Sequence, residues 1–232
     1  MTQHSPKSWT NWSGSVHCTP KEILEPASLE EIQAIVRNCA SQKSNIRVIG
    51  SGHSFTNLVG SNGTLVSLDN YQGAENIDTK NKQALVLAGT KLKMLGEILL
   101  NNGLGQVNMG DIDVQSIAGA TSTGTHGTGV TLGSVATQVI EITLVTAKGE
   151  VLVCSETHNK EIFKAAQVAM GALGIVTKVK LQLVSAYKLK YVKEKMNLDE
   201  CLINLEKYKT QNRNFEFYWF PHTNTIQAKM LN

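Results

Sequence analysis

From Val114 to Ile140 the chain runs for 27 residues without a single Asp, Glu, Lys or Arg, and nine of those residues are Ser or Thr. No other feature of the sequence limits the fold so strongly. An ordinary amphipathic surface helix would show a charged face, and a simple core strand would be less polar. The region is also rich in glycine: nine of the 19 glycines fall between Gly96 and Gly133. Glycine lets backbone approach a ligand closely, and successive exposed amides make anion-binding concavities. The segment reads as an uncharged wall around a large ligand that carries phosphates.

The rest of the composition narrows the setting. A chain of 232 residues, 41% hydrophobic, has room for one complete folded domain of roughly 100–200 residues. A net charge of +3 is too small to argue for nucleic acid as a partner. Residues 1–187 carry 14 basic and 14 acidic groups, whereas residues 188–232 carry eight and five, which is the whole excess. Five of the 13 aromatic residues crowd between Phe215 and Phe220. Both shifts put a domain boundary near Tyr187, giving units 1–187 and 188–232. The longest nearly apolar run, Val168 to Val176, covers nine residues, far short of the ~20 that span a bilayer. The N-terminus shows no apolar signal region. A cytoplasmic protein without a transmembrane segment is expected, with peripheral membrane association left open. Cys18, Cys39, Cys154 and Cys201 lie far apart, so neither a disulfide scaffold nor a zinc site is expected.

Periodicity gives a mixed α+β reading. Ser28-Leu-Glu-Glu31 is a capping-box signature, and Leu29, Ile32, Val36, Cys39 and Ala40 then repeat at helical spacing, so a helix should run to about Ser41. Ile46–Ile49 and Leu65–Leu68 read as strands, and Gln83–Ala88 as a buried strand. Leu92–Asn102 reads as a helix closed by Gly103. Val139–Val145 and Val151–Val153 flank Lys148-Gly149 as a hairpin, which makes the larger sheet mostly antiparallel. Asn159–Met170 reads as a helix with Ile162, Phe163, Ala166 and Met170 on one side, followed by a strand over Ile175–Val184.

Two segments carry the chemistry. Gly50-Ser-Gly-His-Ser54 directly follows a strand. It is either a tight turn with a surface histidine or a set of amides that cradles a pyrophosphate beside a nucleophilic imidazole. Phe55 stands where the dinucleotide fingerprint needs its third glycine, and no Gly-Lys pair exists for a Walker A loop. The second segment is Gln115–Gly129. Its His126, set between Thr125 and Gly127, suits a bond to nearby backbone or a contact to a bound ring equally well. His17, His158 and His222 have no spacing partner, and no metal-ligand spacing occurs.

Taken in order, Arg47-Val-Ile-Gly-Ser-Gly-His-Ser-Phe55, Asn108-Met-Gly110, Ser116-Ile-Ala-Gly119, Thr123-Gly-Thr-His-Gly-Thr-Gly129 and Gly171-Ala-Leu-Gly-Ile-Val176 resemble the PCMH-type FAD-binding domain of the vanillyl-alcohol oxidase superfamily. Phe215-Glu-Phe-Tyr-Trp-Phe-Pro-His-Thr223 is similar to the start of the substrate domain in the sugar 1,4-lactone oxidases, the group of L-gulonolactone and D-arabinono-1,4-lactone oxidases. The resemblance implies two α+β subdomains with FAD between them, followed by the beginning of a substrate domain. It implies that His53 carries the flavin covalently and that Gly50, Ser51, Gly52 and Ser54 hold the pyrophosphate. Asp111, Ser116, Gly119, Thr123, Gly124, His126, Gly127 and Ile175 are further FAD positions on the same ground. Alditol oxidases tend to carry Ser at the position of Asp111.

The activity implied is that of an FAD-dependent oxidoreductase. It would oxidise a CH–OH group of an aldono-1,4-lactone with hydride transfer to flavin, and oxygen or another acceptor would take the electrons. An alditol oxidase acting on a polyol is the alternative substrate reading. The group's substrate domain is about as long as its FAD domain. No counterpart of its catalytic residues is therefore expected in this chain, which reads as a fragment inactive by itself. A flavin-binding module without turnover is the alternative of another class. The aromatic run at Phe215–Phe220 is expected to lie exposed as an edge without neighbours.

Overall fold

The computed structural model describes residues 8–232; the polar start of the chain, Met1–Lys7, lies outside the described residues. The chain opens with a strap of two short strands, β1 (Trp9–Thr10) and β2 (His17–Cys18), paired antiparallel. It continues through β3 (Glu22–Leu24), helix α1 (Leu29–Ser41), β4 (Ile46–Ile49) and β5 (Thr64–Ser67). The α1 start follows the capping signature. Ser28 Oγ accepts the Glu31 N–H at 3.2 Å, while the Glu31 carboxylate reaches back to the Ala27 N–H at 2.7 Å.

β3, β5 and β4 form a small sheet in that order, and both pairings are parallel. Parallel neighbours need a long crossover. The first crossover, from β3 to β4, is α1. The second, from β4 to β5, has no helix: residues 50–63 make it as a loop, and that loop carries the Gly50–Ser54 segment.

β6 (Ala74–Asp78), β7 (Gln83–Leu87), α2 (Leu92–Asn101), β8 (Leu104–Gly105) and α3 (Ile117–Ser122) follow. After a 3-10 turn at Val135–Gln138 come β9 (Val139–Val145), β10 (Val151–Ser155), α4 (Lys160–Ala166), β11 (Ile175–Gln182) and β12 (Val184–Ser185). The large sheet has the order β10-β9-β11-β7-β6 and is antiparallel throughout. Leu95, Leu99, Ile142, Leu144, Phe163 and Leu181 are fully buried in the cluster between it and α2, α3 and α4. A second cluster, with Ile32, Val36, Val66, Leu68, Val145 and Ile175, joins the two sheets. The two-layer α+β arrangement expected from the sequence is the one observed. The small sheet is parallel, yet it is not a doubly wound sheet.

α4 differs from expectation. It ends at Ala166 rather than Met170. Phe163 and Ala166 are buried, but Met170 is 61% exposed and has φ +49°, because its N–H turns aside to the Ser122 carbonyl at 3.1 Å. Met170, the last of the residues removed from the helix, becomes part of the cleft wall described below.

The chain ends with β13 (Tyr191–Asn197), α5 (Leu198–Ile203), α6 (Leu205–Gln211), β14 (Asn214–Trp219) and β15 (Thr225–Leu231). These strands make a third antiparallel sheet in the order β13-β15-β14. The aromatic strand lies at the edge of this sheet, as expected, but it is paired on one side, with β15. Phe215 packs inward while Tyr218, Trp219 and Phe220 stay exposed. Among the described residues no helix is long and apolar enough to cross a membrane, and the four cysteines are free thiols.

Candidate functional site

A cleft of about 410 Å³ runs between the small sheet and the near ends of β9 and β11, within the usual range of roughly 300–1,000 Å³ for ligand pockets. One wall is the end of β4 and the loop after it, Ile46–Ser54. The opposite wall combines Gln115, Ser116, Ala118, Gly119, Ser122 and Thr123 with Val145–Ala147 and Met170–Val176. Trp9, Asn11 and Val16 from the strap close one end. Apart from the histidine, only Arg47 and Asp69 among the lining residues carry charge, and Asp69 is paired with Lys91 at 2.7 Å.

The loop after β4 is held from both sides. Ser51 Oγ donates to the Val114 carbonyl at 2.5 Å and accepts from Lys91 Nζ at 3.0 Å. On the strap side, the Trp12 N–H donates to the Gly52 carbonyl at 2.9 Å, and the buried Asn11 side chain donates to the Ser54 carbonyl at 3.0 Å. Gly52 has φ +67°, and a Cβ there would meet Trp9, Asn11 and Trp12 at 3.3–3.4 Å, so the turn and the close approach both favour glycine.

The consequence concerns the donors. Among the described residues, none of the backbone N–H groups of Ser51, Gly52, His53 and Ser54 has a protein acceptor. Buried or cleft-lining amides are ordinarily paired, and successive free N–H groups in a turn are suited to binding an anion. At Gly50 and Gly174 the neighbouring atoms leave no room for a side chain. A Cβ on Gly50 would stand 2.5 Å from Ser116 Oγ, and one on Gly174 would stand 2.5 Å from the Val145 carbonyl oxygen.

The charge-free segment also has a structural account. Its backbone is buttressed by buried amide side chains in place of charges. Asn108 Nδ2 donates to the Thr128 and Gly133 carbonyls, Gln138 Nε2 donates to the Asn108 carbonyl at 2.7 Å, and Asn214 Nδ2 donates to the Thr128 carbonyl at 2.6 Å. Satisfying buried carbonyls with neutral amides avoids the desolvation cost of burying charge.

Of the residues singled out from sequence, Gly50, Ser51, Gly52, His53, Ser54, Ser116, Gly119, Thr123 and Ile175 all line this one cleft. Asp111, Gly124, His126 and Gly127 do not. His126 Nδ1 bonds the Gly127 carbonyl at 2.8 Å, and Asp111 faces the third sheet. Its carboxylate accepts from Lys229 Nζ at 2.7 Å and from the Tyr218 hydroxyl at 2.9 Å. The Lys229 bond holds the Asp111 carboxyl below the usual range, and burial opposes it. Burial pulls the Lys229 ammonium down, but its bonds to Asp111 and Glu216 outweigh that and leave its pKa raised. Arg213 docks against Val107 and Tyr187, donating to the Val107 carbonyl at 2.7 Å and stacking 5.0 Å above the Tyr187 ring. Sequence reasoning missed the strap, Lys91 and the part of the wall at Met170–Gly174 that a longer helix would have absorbed. The Trp9…Asn11-Trp12 cluster of aromatic and amide residues was the one available signal for the strap. Among the described residues no group of three or more His, Cys, Asp or Glu side chains could hold a metal ion.

Comparison with known proteins adds the family. A model described as FAD binding domain matches residues 20–155, and a D-arabinono-1,4-lactone oxidase model matches residues 179–232. The chain is 37% identical over 223 residues to an L-gulono-1,4-lactone dehydrogenase from Mycobacterium tuberculosis, covering 96% of this chain and 51% of the relative. It is 34% identical to the L-gulonolactone oxidase of Bos taurus, covering 94% of this chain and 50% of that one. It is 32% identical to a D-arabinono-1,4-lactone oxidase of Kluyveromyces lactis, covering 93% and 42%. The chain thus spans about half the length of the curated relatives it matches. Two solved structures share the fold. A cholesterol oxidase from B. sterolicum has a TM-score of 0.86 at 18% identity, over 97% of this chain and 47% of that one. The 6-hydroxy-D-nicotine oxidase of Arthrobacter nicotinovorans has a TM-score of 0.78 at 21% identity, over 91% and 50%.

Proposed function

The chain belongs to the FAD binding domain family, and from that premise we propose that its cleft serves an FAD-dependent oxidation of a CH–OH group in an aldono-1,4-lactone. The observation that carries the reading is the run of four free N–H groups from Ser51 to Ser54, opening on a cleft lined almost wholly by uncharged residues. Such donors suit a pyrophosphate, because they bind negative charge without bringing a counter-charge to the ring. Gly50, Ser116, Gly119, Thr123 and Ile175 would flank the dinucleotide. Asp111, Gly124, His126 and Gly127 would act from behind the wall rather than at its surface. The lactone reading draws its support from the model matched over residues 179–232 and from the names of the curated relatives.

When bound, FAD supplies the hydride acceptor, which no side chain can be. The residues of this chain bind, orient and exclude water. Ser51 to Ser54 hold the phosphates, and the Asn108, Gln138 and Asn214 amides keep the wall rigid. His53 is assigned as the covalent attachment point, through one ring nitrogen and the 8α-methyl carbon. Such a bond would form at the expense of one N–H and one C–H bond, with dioxygen as the two-electron acceptor. Residues 1–187 are assigned to the FAD unit and 188–232 to a unit facing the substrate. The separate apolar cluster around Cys201, Phe215, Ile226 and Met230 supports that division. A cytoplasmic location is part of the same reading.

The test is direct. Purified protein should be yellow and should stay yellow after acid precipitation, whereas His53→Ala should release its flavin to the supernatant. A His53→Ala pellet that retains flavin would refute the attachment, and colourless protein that takes up no FAD would refute the cofactor. Peroxide release or dye reduction with aldonolactones, against alditols, by a protein of the relatives' full length then decides the substrate class, and residues 1–232 alone should show no turnover.

A further inference from the structure

The strap makes one contact that neither the fold nor the cofactor wall requires. The Trp12 indole stacks on the His53 imidazole with ring centroids 4.8 Å apart and planes inclined by 22°. Phe55 then meets Trp12 edge-on at 6.4 Å and 90°. The Trp12 and Phe55 rings are left largely in solvent, 66% and 69% exposed, so burial of apolar surface does not explain the arrangement. Among the described residues only His17 and His126 engage a ring nitrogen in a hydrogen bond. The His53 ring nitrogens have no such partner there, so the stack is what orients the imidazole.

We propose that Trp12 is a positioning residue for His53, fixing the plane of the imidazole so that an unblocked ring nitrogen meets the flavin's methyl edge. The inference rests on the assignment of His53 as the attachment point. A nitrogen lone pair lies in the plane of the imidazole ring. A hydrogen bond would orient the ring by occupying that lone pair or its N–H partner. A face-on indole restricts rotation of the ring and leaves both nitrogens free. Trp12 is itself anchored by backbone, through its N–H on the Gly52 carbonyl at 2.9 Å, next to Asn11, which bonds the Ser54 carbonyl and the Val16 N–H. The platform and the loop it serves are therefore tied together. Loss of such positioning costs rate out of proportion to binding, and a misplacement of about 1 Å can cost about 10²-fold.

The experiment follows acid-stable flavin against time after FAD is added to flavin-free full chain, for wild type, Trp12→Phe and Trp12→Ala, with His53→Ala as the blank. Total bound FAD and the unfolding midpoint are measured on each. Trp12→Ala should attach flavin roughly 10–10²-fold more slowly, with total FAD binding and midpoint close to wild type. Trp12→Phe, which keeps an aromatic face, should recover most of the rate. In the flavin-free protein the ring protons of His53 should show an aromatic ring-current shift that Trp12→Ala removes and Trp12→Phe keeps. Attachment by Trp12→Ala at the wild-type rate overturns this inference alone. Slow attachment that Trp12→Phe fails to rescue, or that tracks a fall in total FAD binding, also overturns it. Wild type without any acid-stable flavin overturns the His53 assignment and this inference with it.

Discussion

Gly174 and Gly171 stand three residues apart in the same wall of the cleft, and replacing each with Ala separates two kinds of cost. Gly171 has φ +78°, and a methyl group placed on it would meet nothing within 4 Å. Gly171→Ala therefore meets only backbone strain, of about 1–2 kcal/mol. Gly174 has φ +138°, and its Cβ would lie 2.5 Å from the Val145 carbonyl oxygen and 3.2 Å from the carbonyl carbon. Those atoms are backbone at the end of β9, which is paired on both sides, to β10 and to β11. They cannot give way as a flexible side chain would. Strain of about 1–3 kcal/mol from the dihedral combines with an overpacking penalty of about 1–3 kcal/mol. Gly174→Ala should therefore cost roughly 2–6 kcal/mol, a large part of the usual stability of a domain, about 5–15 kcal/mol. Urea unfolding with a shared slope reads the difference as a shift in midpoint. FAD affinity should fall further in Gly174→Ala than in Gly171→Ala, because the displaced segment is cleft wall. Equal destabilisation by the two substitutions, or a Gly174→Ala protein as stable as wild type, would refute the reasoning.

Other outcomes follow from the same structure. Asp111 has a depressed folded pKa, chiefly through the bond from Lys229. Its stabilising contribution is present above the unfolded value of about 3.9 and is lost as pH falls through the folded value. Asp111→Asn should flatten that acid limb of the stability curve, and because the carboxylate is half exposed the effect should be about 1 kcal/mol or less. Tyr71 is raised from 10.0 to about 12, by burial first and then by Glu75 and Glu30. Its contribution is present below pH 10.0 and lost as pH rises toward about 12, on the order of 2–3 kcal/mol in all. Ultraviolet titration of the phenolate alongside unfolding should show alkaline destabilisation that Tyr71→Phe reduces. Ser28→Ala removes the N-cap of α1 and should cost about 0.5–2 kcal/mol by urea unfolding.

Where local chemistry decides the structure, the sequence is readable. Ser28 and Glu31 mark the start of α1, and Lys148-Gly149 marks the β9–β10 turn, because capping and hairpin geometry depend on a few adjacent residues. The Gly50–Ser54 loop is legible for the same reason: glycines, small hydroxyls and a histidine directly follow a β-rich run. Elements shaped by distant partners are harder to read. β6 has the sequence Ala-Glu-Asn-Ile-Asp and lies at a sheet edge, where one side needs no apolar residue. The Ser122 carbonyl, far from Met170 in the chain, holds the segment that leaves α4, and no periodicity in residues 159–170 could reveal it. The parallel pairing of β3, β5 and β4 depends on which way the Gly50–Gly63 crossover runs. Hydrophobic alternation within a strand is blind to its direction. The buried Asn108, Gln138 and Asn214 amides explain how a charge-free wall is held, but they come from three separate segments. Asp111, expected from the resemblance to be an FAD position, turns to Lys229 and Tyr218 because the third sheet offers it a charge and a hydroxyl.

The central claim is that the free N–H groups of Ser51, Gly52, His53 and Ser54 take the phosphates of FAD. Amide-resolved NMR of the flavin-free chain, titrated first with inorganic pyrophosphate and then with FAD, tests it most directly. These four amide signals should move together with both ligands, and the Gln115–Thr123 and Met170–Ile175 signals should move only with FAD. Binding of FAD that leaves the four amides in place, or that shifts a different run of the backbone, would contradict the claim.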